Sequence, residues 1–259
     1  MTILLHVVGL RLDRDSHRHT PWHSLVPQTR LLCVLLGVFA IALTPNGRWW
    51  TWAIYGMGVL TVILLSQVTF LTLLKRVAIE FAFLTVVLLG TLFRDGGTVI
   101  WSWGPFEITT VGLTVLGSVA LKVLLSLFFV NILILTTSIP LLLNAFIALR
   151  MPPLLVAIMA SMYRYLGVLI SELNTMRQAA IARNLMANKS ATRLVVGHII
   201  GSLFIRTYER GERIYQAMLA RGYQGLPPVE QLPPLRQWDV FVLVMVGIVI
   251  ISGQIFSFI

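Results

Sequence analysis

Two nine-residue stretches put a guanidinium in the same setting. Met176-Arg177-Gln178-Ala179-Ala180-Ile181-Ala182-Arg183-Asn184 aligns without gaps on Ile214-Tyr215-Gln216-Ala217-Met218-Leu219-Ala220-Arg221-Gly222, 38 positions later, with Gln, two Ala and Arg coincident. Each stretch ends on Asn or Gly, the residues that most readily take the left-handed conformation closing a helix. The chemistry is that of a cation at a helix C-terminus, where the backbone dipole favours it. An Ala before each Arg leaves room for close approach, and the guanidinium can fork onto a partner's carboxylate. Taken singly, either arginine reads as a solvated last-turn residue. Two matching tips are better explained by one docking surface.

The other polar candidates are weaker. Lys122 stands inside the apolar run 110–138, where a central Lys costs about 2.5–3.5 kcal/mol on insertion. It reads either as a transport-path or bundle-interior cation paired with Glu80, or as a snorkelling or packing residue. Asn131 reads as glue between helices, and His198 as a packed interfacial residue. His17, His19 and His23, with Asp13 and Asp15, fit no ligand spacing and read as a solvated tail, so no metal site is expected. No Gly-Lys-Ser/Thr phosphate loop, His-Glu-x-x-His or Gly-x-Ser-x-Gly occurs, so the chain is expected neither to hydrolyse nucleotide nor to act as an enzyme.

The elements that carry these residues belong to a membrane protein. Of 259 residues, 57% are hydrophobic and 12% charged, yet the net charge is +10; mean hydropathy is +0.86. Ordinary soluble domains have about 25% charged residues. The lone Cys33 excludes an internal disulfide, and no secretory signal with a basic start and a cleavage site is expected. Segments 49–65, 77–93, 110–138 and 238–259 approach the length of a span, and 31–43 is a shorter fifth. With the N-terminus in the cytoplasm, 17 of the 20 Lys and Arg lie inside, Arg48 and Arg94 outside, and Lys122 within a span, as the positive-inside bias requires. Trp49, Trp50 and Trp52, after the Pro45-Asn46-Gly47 turn, mark an aromatic belt. The segment 98–108, centred on Gly104-Pro105, predicts a hairpin on the outer face, and Thr109 or Thr110 caps the helix that follows.

The stretch 140–237 carries eleven basic and four acidic residues and is too long and too patterned for a loop. Leu166, Leu169, Leu173, Met176 and Ala180 recur at helical spacing over 152–184. Ile205, Tyr208, Tyr215 and Met218 do so over 205–221, supported by the i,i+4 pair Glu209 and Arg213. Between them 194–205 is apolar but too short to span, and is expected to lie against the membrane interface. The chain thus divides into a cytoplasmic N-terminal segment 1–30, transmembrane helices over 31–139, a cytoplasmic region 140–237 and a last span 238–259. The expected fold class is an all-α integral membrane protein, with about five transmembrane helices plus two long cytoplasmic amphipathic helices.

These residues also carry a resemblance. Pro27-Gln28-Thr29-Arg30-Leu31-Leu32, Met162-Tyr163-Arg164-Tyr165-Leu166 with Glu172 and Met176, Leu203–Arg210 and Ala217–Tyr223 resemble the transmembrane coupling subunit (T-component) of energy-coupling factor (ECF) transporters, CbiQ type. That family has two Ala-Arg-Gly signatures on cytoplasmic coupling helices that dock into ATP-binding-cassette ATPase subunits. Ala220, Arg221 and Gly222 match the second. Ala182 and Arg183 match the first, where Asn184 stands in place of Gly and puts only the tightness of the turn in question. The resemblance implies a non-catalytic subunit of a cobalt importer in the cell inner membrane. Its partners would be an ATPase dimer, which uses the ATP, and a membrane substrate-binding subunit for cobalt, which captures the metal. The coupling surface towards that subunit would comprise Leu166, Leu169, Leu173, Met176, Tyr208, Tyr215 and Met218. The chain itself would bind no cofactor. Three alternatives stay open: the same role for nickel or another micronutrient, an intramembrane enzyme acting on anionic lipid, and nucleic-acid binding by the basic region, which its apolar stripes disfavour.

Overall fold

The computed structural model describes residues 20–47, 49–91, 98–103, 106–186, 189–223 and 236–258. His17, His19, Asp13, Asp15, Arg48, Arg94 and the Gly104-Pro105 pair lie outside them. The described residues form eight helices and one hairpin: α1 (Pro27–Leu43), α2 (Trp49–Ser66), α3 (Phe70–Gly90), β1 (Val99–Trp103), β2 (Phe106–Thr109), α4 (Thr110–Thr136), α5 (Ile139–Ala148), α6 (Pro153–Ala182), α7 (Lys189–Ala220) and α8 (Gln237–Phe258). The architecture is all-α apart from that antiparallel hairpin, which pairs Trp101 with Ile108 and Trp103 with Phe106. Thr109 is the residue that caps α4, accepting from the Gly112 amide at 3.0 Å.

The described residues divide into two compact units, 143–223 and the remainder. In the second unit α4 is the central helix. It packs against α1, α2 and α3, while α8 packs on α1 and α2. Ile41, Leu73 and Ile132 are fully buried. At Gly253 on α8 an added Cβ would lie 2.7 Å from the Tyr55 ring of α2, so this crossing needs a glycine. A cleft of about 690 Å³ lies among α1, α2, α4 and α8, walled by residues such as Leu25, Tyr55, Phe129 and Trp238, with no carboxylate, imidazole or amine in its lining.

Three described helices are long and apolar enough to cross a membrane: 110–136, 153–182 and 237–255. The apolar α1 and α2 are slightly shorter. By length and composition α6 therefore qualifies as well, whereas the sequence led to the expectation of a cytoplasmic helix. Only 6% of its apolar window is buried, so its surface needs a cover of lipid or protein. The second long amphipathic helix is also longer than its stripe predicts. Segment 194–205 is no separate element but the first part of α7, which runs unbroken from Lys189. No Pro interrupts it, and neither Gly197 nor Gly201 takes a positive φ.

Two charged groups inside the second unit are tied to helix ends. Asp239, 1% exposed, accepts the Arg236 amide at the start of α8 and the Val26 amide at the start of α1, both at 2.9 Å. One carboxylate thus serves two N-termini, each of which favours negative charge. Arg30 is also buried, at 4% exposure, and is not a water-facing cation. It donates to the Thr136 carbonyl at the end of α4 and to the carbonyls of Leu25 and His23. Trp22 Nε1 donates to Thr136 Oγ1 at 3.0 Å and joins the same cluster.

Two sequence expectations are corrected in this unit. Lys122 is not paired with Glu80. Its Nζ sits 5.9 Å over the Trp52 ring, while Glu80 Oε2 accepts from Asn131 Nδ2 at 2.7 Å. Asn131 thereby links α4 to α3, in the gluing role its type suggested. Nor does Trp52 belong to an outward belt. It is 5% exposed beneath Lys122, whereas Trp50 is 80% exposed, because positions two apart on a helix face different ways.

Asp239→Ala would leave one buried and one half-buried amide without an acceptor and is expected to cost about 2 kcal/mol or more. In detergent-solubilised protein this reads as an unfolding midpoint several degrees lower. Glu212→Ala, at an exposed position, should leave the midpoint in place. Equal midpoints would remove the structural weight assigned to Asp239.

Candidate coupling interface at two helix tips

The tips of α6 and α7 close in the same way. At α6, Asn184 takes φ +56; its amide donates to Ile181 O at 2.9 Å, and the Leu185 amide donates to Ala180 O at 3.1 Å. At α7, Gly222 takes φ +81; its amide donates to Leu219 O at 2.9 Å, and the Tyr223 amide to Met218 O at 3.0 Å. Both are Schellman closures, which satisfy carbonyls that a helix end leaves orphaned. Every equivalent pair is separated by 38 positions, so the sequence repeat is a repeat of geometry. Asn184 makes the turn as tight as Gly222 does, because its short polar side chain tolerates the left-handed region.

The residues assigned to the tips, Ala182, Arg183, Asn184, Ala220, Arg221 and Gly222, are all exposed. Among the described residues neither the Arg183 nor the Arg221 side chain has a hydrogen-bond or ion-pair partner. Each guanidinium stands free at the negative end of a helix dipole, beside a methyl-sized neighbour. That arrangement can grip an acidic site on another chain. Arg150, after α5, ends a third Schellman closure but takes the left-handed position itself at φ +61, one place later than Arg183 and Arg221 in their turns.

The seven apolar positions expected to form one surface differ in exposure. Leu166, Tyr208, Tyr215 and Met218 are exposed, whereas Leu169, Leu173 and Met176 are half-buried. Exposed Leu154, Leu155, Ile158 and Met162 on α6, and Leu194, Ile200, Phe204 and Ile205 on α7, extend the uncovered apolar area. His198, expected to be packed, is exposed on α7. Of the histidine tail only His23 is described, and its Nδ1 lies 2.6 Å from Thr20 Oγ1. Among the described residues no three His, Cys, Asp or Glu converge as metal ligands would.

Residue chemistry alone missed one contact. Glu172 of α6, with its side chain 18% exposed, lies 3.0 Å from Arg210 and 3.6 Å from Arg206, both on α7. A signal was present: the same 38-residue shift carries Glu172 onto Arg210, so equivalent positions bear opposite charges.

A membrane chain whose two arginine-tipped helices repeat in sequence and geometry can be compared with known proteins on definite terms. The family described as cobalt transport protein, CbiQ, matches residues 18–233. The chain belongs to the CbiQ family. It is 30% identical over 215 residues to the energy-coupling factor transporter transmembrane protein EcfT 1 of Listeria monocytogenes, covering 78% of this chain and 80% of that one. It is 29% identical over 216 residues to the EcfT protein of Bacillus subtilis, covering 78% and 80%. A putative fused cobalt transport protein, CbiMQ, of Methanocorpusculum labreanum is 32% identical over 143 residues, covering 54% of this chain and 24% of that protein. This CbiQ-family chain is therefore an ECF transporter T-component, a membrane subunit that works with ATPase and substrate-binding partners.

The tip geometry is directly testable. Gly222→Val forces a β-branched side chain to φ +81, where an L-residue costs roughly 1–2 kcal/mol. Amide exchange at Tyr223 should rise about five- to thirty-fold, while Asn184→Gly should leave exchange at Leu185 no faster. Unchanged exchange in Gly222→Val would show that the closure does not hold the tip.

Proposed function

We propose that this chain is the coupling subunit of an ECF-type importer for cobalt ions. The observation that carries the reading is the pair of exposed arginines, Arg183 and Arg221, each presented by the same helix closure. Two ATPase subunits would hold these tips through acidic grooves. ATP is bound and hydrolysed by those partners and no cofactor by this chain, so its role is mechanical. Closure of the ATPase pair draws the tips together, and α6 and α7, as stiff arms, pass the motion to a membrane substrate-binding subunit seated on their apolar surface. Leu166, Tyr208, Tyr215 and Met218 would meet that subunit, with Leu169, Leu173 and Met176 shaping the surface behind them. The extent of uncovered apolar area on α6 and α7 supports such a cover, since large exposed patches mark interaction sites.

Region 140–237 is placed in the cytoplasm, with the N-terminus on the same side of a multi-pass chain in the inner membrane. The support is the charge count, 17 Lys and Arg on that side against two on the other. Cobalt as cargo is supported by the family's description and by the fused cobalt transport relative. Uptake by the whole complex of radioactive cobalt, challenged with nickel, separates the two ions.

Arg221→Glu places like charge against an acidic groove and removes a charge pair, a change of about 3–5 kcal/mol, or a loss of more than a hundredfold in affinity. Co-purification with the ATPase subunits should disappear while membrane insertion stays normal. Wild-type uptake by this variant would remove the role assigned to the tip.

A further inference from the structure

We infer that Glu172 is the fulcrum of the two arms, a positioning residue that sets how far apart the arginine tips stand; the inference rests on reading those tips as docking points. Three observations carry it. Glu172 spends one oxygen on each of two arginines: Oε1 lies 3.6 Å from Arg206 and Oε2 3.0 Å from Arg210. The two arginines are one turn apart on α7, so a single carboxylate fixes both the register and the crossing of the helices. Glu172 is also well shielded, its side chain 18% exposed, unlike Glu209 and Arg213, whose pair within α7 is exposed at 59% and 70% and spans 4.0 Å. The carboxylate is the shielded member, since Arg206 and Arg210 are 60% and 37% exposed; a half-buried pair is screened less by salt than a fully exposed one, which contributes little.

The third observation is the position of the pair. Residues 172 and 210 are related by the shift that relates the tips, so each stands eleven positions before its own arginine. At 1.5 Å per residue both arms measure about 16 Å. Equal arms suit a partner that is itself symmetric, because an isologous ATPase dimer offers two equivalent grooves that move by equal and opposite amounts. A pivot elsewhere along either helix would deliver unequal strokes. Glu172 touches neither nucleotide nor cargo, and its effect is on the geometry that converts one into movement of the other.

The test uses two readouts. In the chain alone, in lipid nanodiscs, spin labels at Gln178→Cys and Gln216→Cys report the tip-to-tip distance; both positions are exposed, and the native Cys33 is buried. In the assembled transporter, cargo moved per ATP hydrolysed reports coupling. Glu172→Ala should broaden the distance distribution and lower the coupling ratio at least fivefold while ATPase subunits still co-purify. The exchanged pair Glu172→Arg with Arg210→Glu should recover at least half of that loss. Where Glu172→Ala does not fold, the isosteric Glu172→Gln takes its place with the same expectation. A coupling ratio within twofold of wild type, or an exchanged pair no better than the single change, overturns the fulcrum. Failure of the docking reading looks different: Arg221→Glu would keep its ATPase subunits, whatever the distance distribution shows.

Discussion

A helix leaves its first amides and last carbonyls without internal partners, and in a bilayer no water is available to take them. How this chain disposes of those groups organises both of its units. Among α1, α4 and α8 the solution is charge. Asp239 accepts from the starts of two helices, and Arg30 donates to the end of a third. On α6 and α7 the solution is backbone. The Schellman closures satisfy two carbonyls at each tip through backbone amides, with no side chain of Arg183 or Arg221 used for capping among the described residues. The same requirement therefore buries one arginine as a structural tie and leaves two others available for a partner.

Apolar surface divides in a parallel way. Ile41, Leu73 and Ile132 disappear into the second unit, while α6 and α7 leave residues such as Met162, Phe204 and Tyr208 largely uncovered. A folded chain does not keep that much hydrocarbon in water without consequence. It belongs against lipid or against other subunits, and membership of a transporter family supplies both. The α6 composition shows why hydropathy cannot separate these cases: a helix meant for a membrane-embedded partner has the same side chains as one meant for lipid.

Local patterns in the sequence were legible where the physics is local. The bounds of α4 and α8, the hairpin, the Thr109 cap and the matched tips follow from periodicity, turn residues and capping chemistry, each read within a few positions. Asn184 in place of Gly was readable for the same reason. What escaped is non-local. Arg30 looks like one more cytoplasmic cation until Thr136, 106 positions away, comes to accept from it. Glu80 looked like a counter-ion for Lys122 because both are charges in apolar runs, but Asn131 holds Glu80 and an aromatic face holds Lys122. The continuity of α7 through 194–205 escaped for a different reason: a uniformly apolar stretch followed by an amphipathic one changes period without breaking the backbone.

The tie between Val26 and Asp239 spans 213 positions, with consequences for how the protein is made. Helices enter the bilayer in order of synthesis, so the first is in place long before the residue that completes its entry point has left the ribosome. Until then the Val26 amide lacks its acidic acceptor. That end of the molecule thus stays unfinished until residue 239 has been made, and the two helix starts are joined only when α8 inserts beside α1.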